Sequence, residues 1–598
     1  MATTKGDTRE VGPLCRCNLF RATFVDVCIN SYLRNRELTS KSTDMRNRLF
    51  IGAIVAILTI MGTTHKAEAQ SLSPSTTWHW DKGTIVVDTP ERAEGQTHAI
   101  NLAVEPMPVV RVAFVGLGMR GPWAVMRFCH IPGVEIVALC DYERERAEEC
   151  QRFLREAELM PADIYSGERG YEEICQRDDI DLVYIATDWN HHFPVAKCAM
   201  ESGKHVAVEV PSAMNLEQCW TLIDLAEQRR LHCFILENCC YDYFELTALN
   251  MVQKGLFGEV IRAEGAYIHT LDEYWDAYWQ DPNDGDEDNL HWRLKYNKEN
   301  RGDLYATHGL GPVAQCMNIH RGDRFTTLVA MDTESFVGKE LVESRSGEEC
   351  DAFRNGDHTT TLMRTARGKV VEIQHNVMTP QPYNRLFKLT GTKGYATKYP
   401  TPELALSADA VEHTGIPQMD NLSGHSFMSH QQRDALLNIY YHPILRRYGE
   451  LGREMGHGGM DFIMDARLVY CLHNGLPLDM DVYDMAEWCC LAELGALSMD
   501  NNSAAVAFPD FTRGYWMEQD GYHHAYAEGE AQRAILAGEI SEVQRKATAE
   551  MRLWELYDAL LKARTEGNAK AEAKAQKRVD EAKANVRREM IKLYDTQH

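Results

Sequence analysis

The chain has 598 residues, 44% of them apolar, and a formal net charge of −25. That length holds about three or four packed units at the usual ~150 residues each. The acidic balance argues against a nucleic-acid or anionic-membrane partner, since both need a basic face, and suits a sugar or another neutral small molecule.

Residues 45–69 read as an export signal, with positive charge at 46–48, an apolar run at 49–61 and "AEA" ahead of Gln70 as a cleavage site. The run is too short to span a bilayer comfortably and no second candidate is present. The expected product is therefore exported, to the periplasm or the medium, with no integral membrane span; retention in the cytoplasm stays open. Residues 1–44 form a doubtful extension, because Met45 makes a natural start for such a signal, and 70–106 form an N-terminal extension ahead of the first domain.

Residues 107–240 alternate between strand-like and helix-like runs. The strands are 109–116, 134–141, 181–187, 205–210 and 232–238, with amphipathic stretches such as "PWAVMRFCHI" and "EQCWTLIDLAEQRR" between them. Near-continuous apolar strands separated by helices predict a parallel sheet covered on both faces. Gly116, Gly118 and Gly121 form G-x-G-x-x-G between the first strand and the first helix, where a pyrophosphate can sit at the helix N-terminus. Asp141 ends the second strand, twenty residues past Gly121, where a carboxylate binds adenosine ribose hydroxyls and favours NAD over NADP. Later strand ends carry "TDWNHH", "EVPSA" and "ENCCY", which face the same crevice in an open α/β sheet.

From about 241 to 516 the rhythm changes. The segments 259–269, 359–377 and 385–399 alternate and carry hairpin signals, as an open, mostly antiparallel sheet requires, and a helical stretch comes after them at 458–475. Residues 517–598 form a tail. Val543, Met551, Trp554 and Leu561, then Val579, Val586, Met590 and Leu593, fall at helical spacing, with Gly567-Asn568 as the break between two helices. The 17 cysteines lie in apolar stretches without zinc spacing, so they read as buried hydrophobes and no metal site is expected. The fold class is thus a Rossmann domain of the α/β class joined to an α+β sheet domain, with a helical tail.

The Rossmann half resembles the glucose–fructose oxidoreductase and inositol dehydrogenase superfamily, whose members usually carry Glu-Lys-Pro, with a catalytic lysine, where this chain has Glu209-Val210-Pro211. One branch fits better. "GLGMRG", "DWNHH", "EVPSA", "ENCCY", "HWR", "GDLYATHGLGPVA", "TPQPYNR", "GHGGMDF", "NGLPLDMDVYD" and "FPDFTRG" resemble, in order from about 109 to 515, glycoside hydrolase family 109, the NAD-dependent α-N-acetylgalactosaminidases. The resemblance places cofactor contacts on Met119, Arg120, Asp141, the run Trp189 to His192, Glu209, Val210 and Asn238. It places sugar contacts on Tyr267, Arg293, Tyr305, Ala306, Thr307, His308 and Tyr383. Plainer readings stand beside these: Trp189 as a core aromatic, Arg293 as an ion-pair partner, Tyr267 as a packed strand residue and His308 as a satisfied structural histidine.

The implied reaction is a retaining hydrolysis of terminal α-linked N-acetylgalactosamine by C3 oxidation, C1–C2 elimination, water addition and re-reduction. It needs a base at C2 and donors to the oxygen at C3, in place of the carboxylate pair of ordinary glycosidases. His308 and Tyr305 are the candidates for acid–base work and oxyanion donation, in either order, with Tyr241 as a further candidate donor. Because NAD is reoxidised within each cycle, an exported enzyme can keep it as a bound tool. The expected partner is a glycan or glycoconjugate, with homo-oligomerisation left open. A net sugar oxidoreductase of the same superfamily and a non-catalytic sugar-binding protein are the competing functions.

Overall fold

The structure, a computed structural model, describes residues 77–597 apart from 272–274, 276–290, 347–348, 412–421, 454 and 528–552. The signal expected at 45–69, the extension before it, and Val543 and Met551 of the tail lie outside the described residues. Six strands form the parallel sheet of the first domain: β3 (Val110–Val115), β4 (Val134–Asp141), β5 (Asp163–Ser166), β6 (Leu182–Ile185), β7 (His205–Val208) and β8 (Cys233–Ile235). Their spatial order is β5-β4-β3-β6-β7-β8, every neighbouring pair parallel. The five long apolar runs all became strands. They are buried end to end in β4, β6 and β7, as helices on both faces require. The sixth, β5, is the four-residue edge segment "DIYS", which is mostly half-exposed and too short and polar to show a period.

A second sheet holds ten strands: β1 (Trp78–Asp81), β2 (Thr84–Val87), β9 (Val260–Ile268), β10 (Phe325–Asp332), β11 (Thr359–Thr365), β12 (Val370–Asn376), β13 (Lys388–Gly391), β14 (Gly394–Thr397), β15 (Glu403–Leu406) and β16 (Ala505–Ala507). They run in the order β1-β2-β16-β10-β11-β12-β9-β13-β14-β15, with only β12–β9 and β16–β2 parallel. Two boundaries differ from those the sequence predicts. The 70–106 segment supplies β1 and β2, so part of it belongs to the second sheet. Its Arg92 also forks onto the buried Glu227 carboxylate of the first domain at 2.8 and 2.9 Å. At the other end, the body of the second domain continues past residue 516. Tyr522 is buried, accepts from Gln315 at 3.0 Å and donates to the Asp479 carbonyl at 2.9 Å.

Two helices, Leu553–Thr565 and Ala569–Gln597, form the tail, with Gly567 at φ +62° in the break between them. Tyr557, Leu560 and Val579 close the hairpin into a small apolar cluster. The Tyr557 hydroxyl donates to the Ala162 carbonyl at 2.9 Å, which seats the hairpin on the edge of the first domain. All described cysteines are free thiols, and all but Cys198 are buried. Among the described residues no helix is long and apolar enough to cross a membrane.

Candidate active site

The carboxyl ends of β3, β4, β6, β7 and β8 open onto one crevice, the place where doubly wound sheets take their ligands. At its floor two of the three glycines are demanded by the chain itself. Gly116 has φ +91°, and a Cβ there would meet Ala186 C and Thr187 N at 2.5 Å. A Cβ on Gly121 would stand 2.0 Å from the Gly116 carbonyl oxygen. Gly118 is different. A Cβ there has nothing nearer than Arg146 Nη1 at 3.6 Å, so protein packing does not call for glycine. The open approach it leaves suits a phosphate lying against the backbone at the start of the helix Gly121–Phe128.

Asp141 is buried, and its two carboxylate oxygens accept from Leu117 N at 2.6 Å and Glu143 N at 3.0 Å. Those bonds tie the glycine loop to the end of β4 and leave lone pairs on both oxygens for ribose hydroxyls. Met119 and Arg120 form the rim of the loop, Met119 being 58% exposed. Arg120 lies 3.3 Å from Glu209 and 3.2 Å from Asp461, and Asn238 donates to Asp461 at 2.5 Å. Arg120, Glu209 and Asn238, drawn from three separate loops, thus meet in one hydrogen-bonded group. Val210, at the position of the superfamily lysine, is buried and brings no titratable group. These residues fit NAD.

The sugar-side candidates cluster around aromatic rings. Tyr267, on β9, lies 4.6 Å from Tyr305 and 5.4 Å from His308 between ring centroids, with Tyr383 at 6.4 Å edge-on. The Arg293 guanidinium sits over Tyr305 at 4.8 Å and over Trp189 at 5.1 Å, a cation–π stack. His308, in the first turn of the helix Thr307–Cys316, places Nδ1 2.8 and 2.9 Å from the two oxygens of Glu237. Burial pushes the Glu237 carboxyl upward. The His308 ring, together with bonds that include the Cys239 amide, outweighs it and holds the group below the usual carboxylate range. An ionised Glu237 accepts a hydrogen bond from Nδ1–H, which fixes the tautomer and turns Nε2 away from the carboxylate. Burial drives the Tyr305 phenol well up, so it stays protonated and remains a donor.

Several expected roles need correction. Tyr241 is fully buried, and its hydroxyl donates to Asp479 at 3.0 Å. Because Asp479 is also forked by Arg467, the tyrosine belongs to a structural ion cluster and is not a donor in the site. His192 is buried with Nδ1 2.8 Å from the Pro211 carbonyl and Nε2 3.0 Å from the Thr187 carbonyl. Its ring braces the ends of β6 and β7 and has no free nitrogen for a cofactor. Trp189 is 4% exposed and stacks on Tyr305 at 5.7 Å, so its ring lies in the sugar-side cluster. Ala306 and Thr307 are buried and line a small cavity behind the site, beside Asp303 and Trp488.

Residues to which the sequence assigns no role turn out to be central. Glu237 stands in the quoted "ENCCY", and a carboxylate at a strand end facing the crevice was the available signal. Asp461 and His457 stand in "GHGGMD", where the glycine density marks an unusual turn and nothing reveals the partner. Glu237, Cys239 and His308 offer ligand atoms within 4.8 Å of one another. Arg385 Nη1, however, lies 2.8 Å from the Cys239 sulfur and puts a positive charge where a cation would sit. The arrangement suits an oriented imidazole better than a metal.

A nucleotide crevice and an aromatic cluster that meet at Tyr305, which packs on His308 and feels the charges of both Glu209 and Glu237, define an NAD-binding, two-domain protein built on an oxidoreductase fold. Residues 110–236 match the model described as oxidoreductase family, NAD-binding Rossmann fold, and residues 241–518 match the glycosyl hydrolase 109 C-terminal domain. Glycosyl hydrolase family 109 protein 3 of Phocaeicola vulgatus is 68% identical over 550 residues, covering 92% of this chain and 99% of that protein. Family 109 protein 1 of Bacteroides thetaiotaomicron is 53% identical over 446 residues, covering 74% and 93%. A levoglucosan dehydrogenase solved with NADH and levoglucosan overlays with a TM-score of 0.49 at 19% identity, over 67% of this chain and all of that one. The chain belongs to glycosyl hydrolase family 109, and NAD is its cofactor.

Proposed function

We propose that the protein is a retaining glycosidase that removes terminal α-linked N-acetylgalactosamine, with NAD as a tightly held catalytic cofactor. The observation that carries this reading is the His308–Glu237 pair at 2.8 Å beside the phenol of Tyr305, at a site where Val210 replaces the superfamily lysine. Proton handling then falls to an imidazole whose orientation a buried carboxylate sets. The choice of sugar rests on the family resemblance.

Bound NAD supplies reversible oxidation at the sugar C3. Gly116, Gly118, Met119, Arg120 and Gly121 would hold the pyrophosphate, Asp141 the adenosine ribose, and Glu209 and Asn238 the nicotinamide half. Arg293, Tyr267 and Tyr383 would hold the sugar, whose apolar face suits aromatic rings. Tyr305, kept neutral by burial, donates to the oxygen on C3. With C3 oxidised, the C2 proton is acidic, and His308 Nε2 takes it while Nδ1–H leans on Glu237. The group on C1 departs and water adds from the same face, which restores the configuration; the proton that the water gives up goes to the departing oxygen, and His308 returns its own proton to C2.

Two measurements test the reading. Purified protein mixed with an aryl α-N-acetylgalactosaminide should release phenol without steady production of NADH. Continuous NADH formation would instead make it a net oxidoreductase, and no reaction a sugar-binding protein. Hydrolysis in D₂O should place deuterium at C2 of the released sugar, because a protein base exchanges with solvent; a two-carboxylate displacement breaks no C–H bond. Release of sugar with C2 fully protonated, at full rate, from protein stripped of NAD overturns the mechanism.

A further inference from the structure

Asp461 comes from the second domain, in the first turn of the helix Met460–His473, yet its partners are largely in the first. Its Oδ2 lies 3.2 Å from Arg120 Nη2, 3.5 Å from Arg127 Nη1 and 2.7 Å from His457 Nδ1. Its Oδ1 accepts from Asn238 Nδ2 at 2.5 Å. One buried carboxylate therefore holds the rim of the glycine loop, the helix behind it and the loop after β8. Arg120 and Asn238 are two of the residues assigned to the cofactor.

The preceding turn is built to deliver this contact. Gly456, His457, Gly458 and Gly459 have φ of +86°, +43°, +64° and +99°, a left-handed run in which only His457 carries a side chain. A Cβ on Gly459 would stand 2.7 Å from Gly452 C, so the turn closes tightly against the chain before it. The fold thereby brings His457 Nδ1 to 3.0 Å from Arg120 Nη1 while half of its side chain stays exposed. Nδ1 donates to Asp461 when it carries the proton and accepts from Arg120 when it does not, so in either tautomer the imidazole braces one member of the ion pair. Burial pushes the Asp461 carboxyl up, but the bond from His457 and the charges of Arg120 and Arg127 hold it far below the usual range. It is a permanent anion.

We infer that Asp461 and His457 are positioning residues that latch the phosphate-binding loop from the opposite domain and so slow the release of NAD. Arg120, fixed between Glu209 and Asp461, presents its remaining N–H groups to the dinucleotide in one orientation and loses little freedom when the pyrophosphate arrives. Dissociation of the cofactor then requires the rim of the loop to move against an ion pair anchored outside the Rossmann domain. An enzyme that uses NAD without consuming it gains from that slow escape. The inference needs only the NAD site and survives a failure of the glycosidase chemistry.

The test uses the full chain with Asp461→Asn and His457→Ala, reading NAD affinity by calorimetry, NAD release by stopped-flow chase and melting temperature by circular dichroism. Losing charge-assisted bonds predicts NAD bound about 10–100-fold more weakly in Asp461→Asn, with faster release. His457→Ala should lose about 3–10-fold, roughly the worth of one ordinary hydrogen bond. The loss should fall on NAD affinity more than on turnover at saturating NAD. Unchanged affinity and release in a folded Asp461→Asn protein overturn the latch, as does a lowered melting temperature with normal NAD binding. If Asp461→Asn does not fold, His457→Ala decides, and normal NAD release from that variant overturns the inference by itself.

Discussion

Replacing Glu237 by Gln keeps the shape of a fully buried side chain and removes its charge. Both carboxylate oxygens lie within 2.9 Å of His308 Nδ1, and one also accepts from the Cys239 amide at 3.1 Å. A hydrogen bond to a charged group is worth about 1.5–3 kcal/mol against about 1 for a neutral pair. The imidazolium that forms when His308 takes a proton therefore loses about 1–2 kcal/mol, or roughly 5–30-fold in rate. A second effect adds to it. The amide of Gln can turn its NH₂ toward Nδ1, which moves the ring proton to Nε2 and removes the free nitrogen. That kind of tautomer error costs up to about 10⁴-fold where an imidazole is the base. Turnover of an aryl α-N-acetylgalactosaminide at saturating NAD should thus fall by about 10- to 10⁴-fold. NAD affinity, measured by calorimetry, should change little. Turnover within about twofold of the parent protein, in a folded variant that still binds NAD, would refute the assignment of Glu237 as the group that orients His308.

Asp141→Ala should weaken NAD binding by about 1.5–3 kcal/mol through lost ribose bonds to a charged group. The Leu117 and Glu143 amides also lose their acceptor, and an unchanged affinity by calorimetry removes Asp141 from the site. His308→Ala should slow the chemical step by about 10²–10⁴-fold with NAD binding nearly intact, and near-normal turnover would move the base role to Tyr305. Burial pushes the Asp303 carboxyl from 3.8 up to about 7, so the native state binds a proton that the unfolded chain has already released. The resulting penalty is absent below about pH 4, grows as pH rises toward 7 and is complete above it. Asp303→Asn should therefore stabilise the protein by an amount that increases between pH 4 and pH 8, up to about 4 kcal/mol. A stability difference that is flat across that range would show that Asp303 does not titrate there.

The sequence by itself determined the local features whose cause is local. Five apolar runs predict five parallel strands because burial on both faces leaves no other composition. The glycine spacing predicts the loop because Gly116 and Gly121 have backbone atoms where a Cβ would stand. Gly567 marks the break in the tail because only a left-handed turn separates the two helices. The short edge strand β5 escaped because four half-exposed residues carry no periodic signal. What the tertiary structure decided are the meetings between distant segments. Tyr241 and His192 occupy the right strand ends, yet packing turned one to Asp479 and the other to two backbone carbonyls. Glu237 meets His308 across 71 residues, and Arg120 meets Asp461 across 341. No pattern along the chain specifies such pairs, since each depends on how the two domains close on one another, and the site lies where they do.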